Sequence, residues 1–412
     1  MIKESEYKLR REKLGRKLLN NSITILFSAT PKTRSNDTEF PFRQDSHFYY
    51  LTGFKEENSA LVIIKENKKI HTTLFVQKKD KQLELWTGER LGVKEAKKRF
   101  QIDKIFSIDR FDKKLLNFMQ NRKTLYYDFS RRDTKLPSAM KNISKHKDIA
   151  YHIGLLRLIK SKAEIQLIRK AIDITALAHH KVMQLDKRGK NEYEIQAELE
   201  YIFKKNGAYN DAYTSIVASG NSANTLHYIQ NDKPLLENDL ILIDAGCEYH
   251  YYASDITRTI PVSNSFTSAQ KELYDMVLSV EIKIIEMIKP NIKRTTLQKK
   301  AIELLTEGMI ELKILQGKRE KLIKKEAYKK YYPHGIGHWM GLDVHDNSPY
   351  RYKNSKEIKL QKGMVLTIEP AIYIDKDDTA VPKRYRGIGI RIEDDILVTE
   401  DGFENLSVKI QK

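Results

Sequence analysis

The chain has 412 residues, of which 40% are hydrophobic and 9% aromatic, and a formal net charge of +19 at pH 7. This length exceeds the roughly 250 to 300 residues that one hydrophobic core usually serves, so we expect two domains. No run approaches the roughly 18 apolar residues of a membrane span, and the single cysteine excludes an intramolecular disulfide, which favours a soluble, cytoplasmic protein.

The excess of positive charge raises the question of nucleic acid or an anionic membrane as a partner. The lysines are spread over the whole chain, often beside Glu or Asp, and no basic stretch alternates with aromatic residues that could stack on bases. We therefore interpret the charge as a solvated, lysine-rich surface, and we expect no specific nucleic acid and no membrane as partner.

The first part of the sequence predicts a mixed α/β domain. It begins with a charged stretch, MIKESEYKLRREKLGRKLL, which lacks the apolar segment and cleavage site of a secretory signal and predicts an amphipathic helix. Short strand patterns then alternate with helical stretches such as VKEAKKRF. The predicted strands are residues 22–29, 59–66, 71–78 and 124–130.

Around residue 155 the pattern changes to charged helices, so we predict two domains, 1–155 and 156–412. The first helix of the second domain follows Ser161, a suitable N-cap. The last third is rich in strands, as in GMVLTIEPAIYI and GIGIRIEDDILVT. Helices segregated from a largely antiparallel sheet predict an α+β fold. The predicted helices are residues 161–185, 191–206, 267–289 and 294–313.

Two carboxylates stand where a buried strand would have aliphatic residues. In LILID, four aliphatic residues are followed by Asp244, and Asp255 opens the next strand-like run. If the segment between them forms a hairpin centred between Tyr249 and His250, the two carboxylates face each other with Cβ atoms about 4.5 to 5.5 Å apart. Two charges this close in a half-buried place need a shared proton or a cation.

The same feature recurs on two further strands. Glu369 ends the aliphatic run MVLTI, and in GIGIRIED the isoleucines alternate with Gly389, Arg391 and Glu393. The glycines leave the space that a ligand close to the sheet would require. A single strand-end carboxylate is more often part of a salt bridge, but three strands with this feature favour a metal site.

The nitrogen ligand is expected from HGIGHWMGLDVHD, which contains His334, His338 and His345. Gly335 and Gly337 interrupt this stretch and no HExxH pattern is present, so it predicts a loop and not a zinc-binding helix. Four carboxylates and one imidazole favour manganese over a structural zinc, while zinc, cobalt and iron(II) also suit these ligand types. Their charge balances two divalent ions, which in such sites lie about 3.5 to 4 Å apart and generate a hydroxide nucleophile.

These ligands, in their order along the chain, resemble those of the pita-bread metallopeptidase family that contains methionine aminopeptidase, prolidase and aminopeptidase P. The stretches IDAGCEYHYYASDITRTIPV, HGIGHWMGLDVHD and RGIGIRIEDDILVTEDGFENL are similar to the Xaa-Pro aminopeptidase branch, and FPFRQDSHFYYLTGF resembles its N-terminal domain. The resemblance covers essentially the whole chain. It implies a C-terminal pita-bread catalytic domain after a smaller mixed α/β domain, and an aminopeptidase that releases the N-terminal residue from peptides with proline second.

The resemblance also implies a role for each metal ligand. Asp244 would chelate one ion, and His338 with Glu369 would complete the second. Asp255 and Glu393 would bridge the two ions. The bridging hydroxide would attack the carbonyl of the bond before proline, and Glu369 would accept and pass on its proton.

The residues around the substrate follow from the same resemblance. His345 would stabilise the oxyanion. His227, in NTLHY, and His334 would bind around the scissile peptide and the proline ring. Tyr373 and Arg391 would support the metal-bound groups.

The N-terminal region bears on assembly. Trp86 and Arg157 match positions that relatives use to shape substrate access, sometimes across a subunit interface, so the resemblance implies a homodimer or homotetramer. His47 stands where relatives commonly carry Asp, a departure that bears on any intersubunit role of that carboxylate.

Two alternatives are open at this point. Prolidase, which cleaves only Xaa-Pro dipeptides, shares the fold, the metals and an N-terminal domain. A non-catalytic pita-bread protein would use its basic surface to hold an acidic partner, although the intact ligand set favours an enzyme.

Overall fold

The computed structural model describes residues 1–131, 140 and 143–412, which divide into two compact units, Met1–Arg157 and Leu158–Lys412. Among these residues, none of the helices combines the length and apolar character needed to cross a bilayer.

The first unit is built on a mixed β-sheet. In chain order its elements are α1 (Glu4–Lys17), β1 (Ser22–Phe27), β2 (Thr33–Ser35), β3 (Thr38–Glu39), α2 (Ser46–Thr52), β4 (Ala60–Glu66), β5 (Lys69–Val76), α3 (Lys81–Thr87), α4 (Gly92–Arg99), β6 (Lys104–Ser107), α5 (Phe111–Met119), β7 (Thr124–Tyr127), β8 (Lys145–Asp148) and α6 (Ala150–Arg157). Within the described residues, the strand order is β6-β5-β4-β1-β7-β8, with β4 antiparallel to both neighbours and the outer pairs parallel.

Alternating apolar residues of the sheet build the core of this unit. Ile23, Val62 and Phe75 pack with Leu115 of α5 in one buried cluster. The predicted mixed α/β character is confirmed, and β1, β4, β5 and β7 lie within or overlap the four predicted strands.

The second unit begins with helices and continues into small antiparallel sheets, which confirms the α+β prediction. In chain order its elements are α7 (Lys162–Gln184), α8 (Glu192–Lys205), β9 (Asn210–Asp211), β10 (Ile216–Ser219), β11 (Leu240–Asp244), β12 (Cys247–Tyr249), β13 (Tyr252–Ala253), β14 (Thr257–Pro261), α9 (Ser268–Glu286), α10 (Arg294–Glu311), α11 (Arg319–Lys324), β15 (Val365–Ile368), β16 (Ala371–Ile374), β17 (Ile388–Arg391), β18 (Asp394–Val398) and β19 (Phe403–Asn405).

Helix α7 starts where the sequence predicted. The Ser161 side chain accepts from the backbone N–H of Glu164, whose own carboxylate accepts from the backbone N–H of Ser161. This capping box satisfies two backbone donors that the first turn would otherwise leave unpaired.

The two faces of β11 have different environments. Ile241 and Ile243 pack with apolar residues of α7 and α8 in a buried core cluster. Because side chains alternate along a strand, Asp244 points to the opposite face. One face of β11 thus packs in the core, and the Asp244 carboxylate lies on the other face.

Four antiparallel pairings bring the remaining strand ends to this face. Strand β11 lies between β10 and β14, β15 pairs with β18, and β16 pairs with β17. Single bridges join Thr257 to Glu393 and Trp339 to Leu366. These contacts gather the ends of β11, β15 and β17 into one region.

Candidate metal centre

A cavity of about 810 Å³ lies within the second unit. Its lining combines charged groups with apolar side chains such as Ile216, Leu226 and Ile229, a mixture common in small-molecule sites. The lining also includes each residue predicted for the site: Asp244, Asp255, His338, Glu369, Glu393, His227, His334, His345, Tyr373 and Arg391.

Three of the predicted ligands converge. Among the described residues, Asp255, His338 and Glu393 each offer a ligand atom, and these atoms lie within 4.8 Å of one another. The His338 Nε2 atom is 3.2 Å from Asp255 Oδ2 and 3.8 Å from Glu369 Oε1. Glu369 therefore borders the cluster, directly after β15.

Asp244 lies beside this cluster and is held by two donors. Arg391 Nη2 donates to Oδ2 at 2.6 Å, and the Tyr213 hydroxyl donates to Oδ1. The structure thus places Asp244 on the cavity lining but outside the convergent group of three.

The predicted register of the hairpin is wrong, because the turn is centred between His250 and Tyr251, one residue later than predicted. Asp244 faces Thr257, not Asp255, because β11 and β14 pair in positions that sum to 501. The turn consists of His250 and Tyr251, both with positive φ, as two-residue turns that match strand twist require. Asp255 lies two residues before Thr257, and its charge still raises the pKa of Asp244, after the larger effect of burial.

The prediction that Gly389 leaves space for a ligand is wrong. A Cβ atom there would lie 2.7 Å from the backbone carbonyl carbon of Ala223, which belongs to the 3-10 helix Gly220–Asn224. The glycine therefore makes room for a neighbouring backbone segment and not for a ligand.

The electrostatics of the centre suit a cation. Burial and the nearby carboxylates of Asp255 and Glu369 raise the pKa of Glu393 well above its usual range, and burial raises the pKa of Glu369 to about 7. Burial alone would lower the pKa of His338, but the hydrogen bond to Asp255 and the charges of Asp255 and Glu369 together outweigh burial and raise the pKa to about 9. The site thus disfavours added negative charge and favours positive charge, so its residues fit divalent metal ions.

The predicted histidine loop is a loop, and a glycine sets its path. A Cβ atom on Gly337 would lie 1.9 Å from the Thr367 carbonyl oxygen. This close approach lets the His338 N–H donate to Thr367 Oγ1 and lets Thr367 N–H donate to the His338 carbonyl. From α10, Arg294 donates to the Gly337 carbonyl and Gln298 accepts from Ile336 N–H. His338 is therefore fixed through its backbone.

A chain of hydrogen bonds connects His334 to Asp244 across the cavity. His334 Nε2 is 3.0 Å from the Tyr373 hydroxyl, which accepts from Arg391 Nη1 at 2.7 Å. Arg391 also donates from Nε to Thr257 Oγ1, and this hydroxyl donates to Glu393 Oε2 at 2.7 Å. One buried guanidinium thus orients groups on both sides of the centre.

The other two predicted histidines are both exposed on the cavity lining. His345 packs edge-on against His338, with ring centroids 4.1 Å apart. Burial, followed by the neighbouring His338, lowers the pKa of His345. His227 is exposed and follows Leu226 on the cavity lining.

The remaining predicted residues lie in the first unit. Trp86 is 85% exposed on α3. Arg157 is buried, with Nη1 3.1 Å from His47 Nδ1, and His47 Nε2 is 3.9 Å from Asp128 Oδ2. The predicted part of Trp86 and Arg157 in substrate access stays a prediction.

Two residues that bond to the predicted ligands, Thr257 and Tyr213, were not predicted from the sequence. Thr257 could have been found, since it stands two positions after Asp255 and so belongs on the same side of an extended segment. Tyr213 could not, because it lies in an irregular segment after β9 with no periodicity.

Comparison with known proteins identifies the families of both parts. Residues 166–400 match metallopeptidase family M24, and residues 7–126 match the aminopeptidase P N-terminal domain. An Xaa-Pro aminopeptidase of Haemophilus influenzae is 41% identical over 414 residues, covering 100% of this chain and 96% of the relative.

Two solved structures of Escherichia coli aminopeptidase P are similar over the same extent. One, with the inhibitor Pro-Leu, has a TM-score of 0.93 and 36% identity, and covers 100% of this chain and 96% of that chain. The other, zinc-substituted and in complex with product, has a TM-score of 0.94 and 36% identity with the same coverage.

Proposed function

The chain belongs to metallopeptidase family M24, and on this premise we propose that it is an Xaa-Pro aminopeptidase. It hydrolyses the peptide bond before a proline in second position and releases the N-terminal residue. One observation carries the proposal: the predicted ligands and substrate residues line a single cavity, in a chain similar to Xaa-Pro aminopeptidases over its full length.

Five residues would hold two divalent ions. Manganese is the ion that this oxygen-rich set favours, and zinc is the alternative. When bound, the ions supply Lewis acidity, which prepares a water molecule for attack near neutral pH. The convergence of three of these residues within 4.8 Å supports the assignment. The five are Asp244, Asp255, His338, Glu369 and Glu393.

Glu369 is the proton carrier of the reaction. Its carboxylate lies 3.6 Å from His334 Nδ1 and 3.8 Å from His338 Nε2, between the ligand cluster and the substrate side. It takes a proton from the attacking water, whose oxygen bonds to the carbonyl carbon. The C–N bond before proline then breaks, and the proton passes to the proline nitrogen.

The histidines around the cavity orient the substrate. His345 stands against His338, where it can donate a hydrogen bond to the oxyanion as the carbonyl becomes tetrahedral. His227 and His334 bind around the scissile peptide. Leu226 and Ile229 flank His227 on the cavity lining and give the proline ring an apolar contact.

Arg391 and Tyr373 keep the acidic groups in place. Arg391 donates to Asp244 and to the Tyr373 hydroxyl, and both side chains are buried. A guanidinium that bonds to several groups fixes their orientation because its donors are coplanar. These two residues therefore position the acidic groups and take no part in making or breaking bonds.

A comparison of two substrates tests the proposal. The manganese-loaded protein should cleave an Xaa-Pro-Xaa tripeptide before proline. Cleavage of Xaa-Pro dipeptides alone would identify a prolidase instead. Glu369→Gln should remove turnover while the protein stays folded, and a variant with unchanged turnover would favour the non-catalytic alternative.

Location and assembly complete the proposal. We propose a cytoplasmic homodimer or homotetramer that acts on peptides and has no specific nucleic acid or membrane partner. A single, buried cysteine is consistent with a reducing compartment, and lysines mixed with acidic residues suit a solvated surface. Light scattering after size-exclusion chromatography measures the assembly directly.

A further inference from the structure

The loop of residues 341–348, here called the His345 loop, has to be held in place by something other than regular structure. It contains no helix or strand, yet residues 344–348 line the cavity one after another. His345 lies edge-on against His338 with ring centroids 4.1 Å apart. An irregular loop keeps such a contact only if specific bonds fix it.

A buried ion pair lies directly beside His345 in the sequence. Lys160 Nζ is 3.3 Å from Asp346 Oδ2, and the two side chains are 2% and 1% exposed. Asp346 Oδ2 also accepts from the Ser348 hydroxyl at 3.0 Å, and the Asp346 N–H donates to the Trp339 carbonyl. Asp346 thus has bonds on both its side chain and its backbone.

The surrounding chain is shaped around this pair. The Lys160 N–H donates to the Gly363 carbonyl at 2.8 Å, which fixes the lysine backbone. A Cβ atom on Gly341 would lie 2.9 Å from Lys160 Cε and 3.1 Å from Asp346 Cγ. The glycine therefore gives the ion pair the space that it needs at the start of the loop.

None of the roles described above uses this pair. Asp346 ends the motif HGIGHWMGLDVHD but is not among the metal ligands, and Lys160 precedes α7. An ammonium and a carboxylate that are both removed from water are stable only while they stay paired. The pair therefore restricts the His345 loop to conformations in which Asp346 reaches Lys160.

We propose that Lys160 and Asp346 are positioning residues that hold the His345 loop so that His345 stays against His338. The inference rests on the proposed role of His345 in the reaction. It extends that role to two residues outside the proposed set of metal ligands and substrate-binding residues.

A double-mutant cycle tests whether the pair acts through His345. Lys160→Met should lower kcat on an Xaa-Pro-Xaa tripeptide by about tenfold to a hundredfold, the effect of a misplaced catalytic group, with KM nearly unchanged. In a His345→Ala background the same substitution should change kcat by less than about twofold. Losses that multiply across the two backgrounds would overturn the inference.

A second readout does not depend on activity. Hydrogen exchange of peptides that cover residues 341–348 should rise in Lys160→Met, because the loop loses its anchor. Unchanged exchange would overturn the inference. If the wild-type chain does not cleave the tripeptide, the proposed function fails, and the exchange measurement still decides whether the pair holds the loop.

Lys187→Met is the matched control. Lys187 is also buried, at 1% exposure, and donates to Asn264 Oδ1 at 2.7 Å in the same unit. Its substitution should leave both kcat and exchange of the His345 loop near wild-type values. If Lys160→Met fails to fold, the variant Lys160→Met/Asp346→Leu leaves no unpaired charge, and the same two results are expected of it.

Discussion

At the scale of single residues, we expect both metal binding and turnover to depend on the Asp244 carboxylate. It ends a buried strand and accepts from Arg391 and Tyr213. Asp244→Asn removes the negative charge, so metal affinity and turnover should fall together. Both losses should exceed the roughly 10- to 100-fold typical of a lost outer partner. Metal bound per chain after dialysis and tripeptide turnover measure the two effects.

Cys247→Ser is the control for this prediction. Cys247 is buried near Asp244 in sequence, but its thiol donates to the Ala171 carbonyl on the helix side of the sheet. Neither metal content nor turnover should change greatly. An Asp244→Asn chain that keeps its full metal content would contradict the ligand assignment.

Gly337 gives a second prediction at this scale. The carbonyl oxygen of Thr367 lies 1.9 Å from the position of any Cβ atom, so Gly337→Ala forces the backbone next to His338 to move. We expect a loss of about 1 to 3 kcal/mol in stability and weaker metal binding. Isothermal titration with manganese measures the second effect.

Gly402→Ala serves as the comparison for Gly337→Ala. Its nearest neighbour, Thr399 Oγ1, is 4.0 Å from the added carbon, so stability and metal binding should stay at wild-type levels. Equal metal affinity in both alanine variants would show that the path of the histidine loop does not depend on Gly337.

The five proposed metal ligands could be selected from sequence by residue type and position, but their hydrogen-bond partners could not. A carboxylate at the end of an aliphatic run is visible without coordinates, as Asp244 and Glu369 show. The hydrogen bond from Tyr213 to Asp244 joins residues 31 positions apart. Tyr213 lies in an irregular segment, so no sequence pattern predicts this bond.

At the scale of elements, the loop that carries His227 depends on one buried carboxylate of α8. Glu192 is fully buried and accepts from the Tyr228 hydroxyl, from Lys233 N–H and from both N–H and Oγ of Ser219. Glu192→Gln replaces one acceptor oxygen by a donor. We expect a cost of about 1 to 3 kcal/mol in stability and a raised KM.

Urea titration and tripeptide kinetics measure these two effects. Glu194→Gln is the matched control on the same helix. Glu194 bonds to Asn191 at the helix start, lies 3.7 Å from Lys190 Nζ, and is 39% exposed in its side chain. A Glu192→Gln chain with wild-type KM would show that His227 does not need this anchor.

The register of β11 and β14 marks the limit of prediction at this scale. The strands and the carboxylates at their ends follow from apolar runs, and the helices of the second unit follow from caps and periodicity. The turn at His250 and Tyr251 carries none of the Asn-Gly type signals that fix a hairpin centre. A shift of one residue at the turn moved the partner of Asp244 from Asp255 to Thr257.

At the scale of the whole molecule, acid sensitivity should depend on His179. Burial, followed by Arg258, lowers the pKa of His179 to about 3 in the folded chain. The unfolded chain binds this proton below about pH 6.5, so stability falls as the pH drops from there toward 3. At pH 5 the loss should be about 2 kcal/mol.

His179→Gln should remove that part of the pH dependence. Urea titrations at pH 7 and pH 5 give the two free energies of unfolding for each variant. His180→Gln, at a half-exposed position on the same helix, is the control and should keep the wild-type difference. An equal difference in all three chains would contradict the assignment to His179.

The overall architecture was more predictable than the details of the site. The length of the chain predicted more than one hydrophobic core. The change from alternating strands to long helices near residue 155 indicated where one pattern of secondary structure gives way to another. Packing details such as the contact of Gly389 with Ala223 join distant segments, so they required the coordinates.

The most direct test of the central claim combines metal content with cleavage. The chain is stripped of metal, reloaded with manganese, and assayed on an Xaa-Pro-Xaa tripeptide at each stage. We predict two ions per chain, cleavage before proline, loss of cleavage on stripping and its return on reloading. A metal-free chain that cleaves, or a chain with two bound ions that leaves the tripeptide intact, would contradict the account.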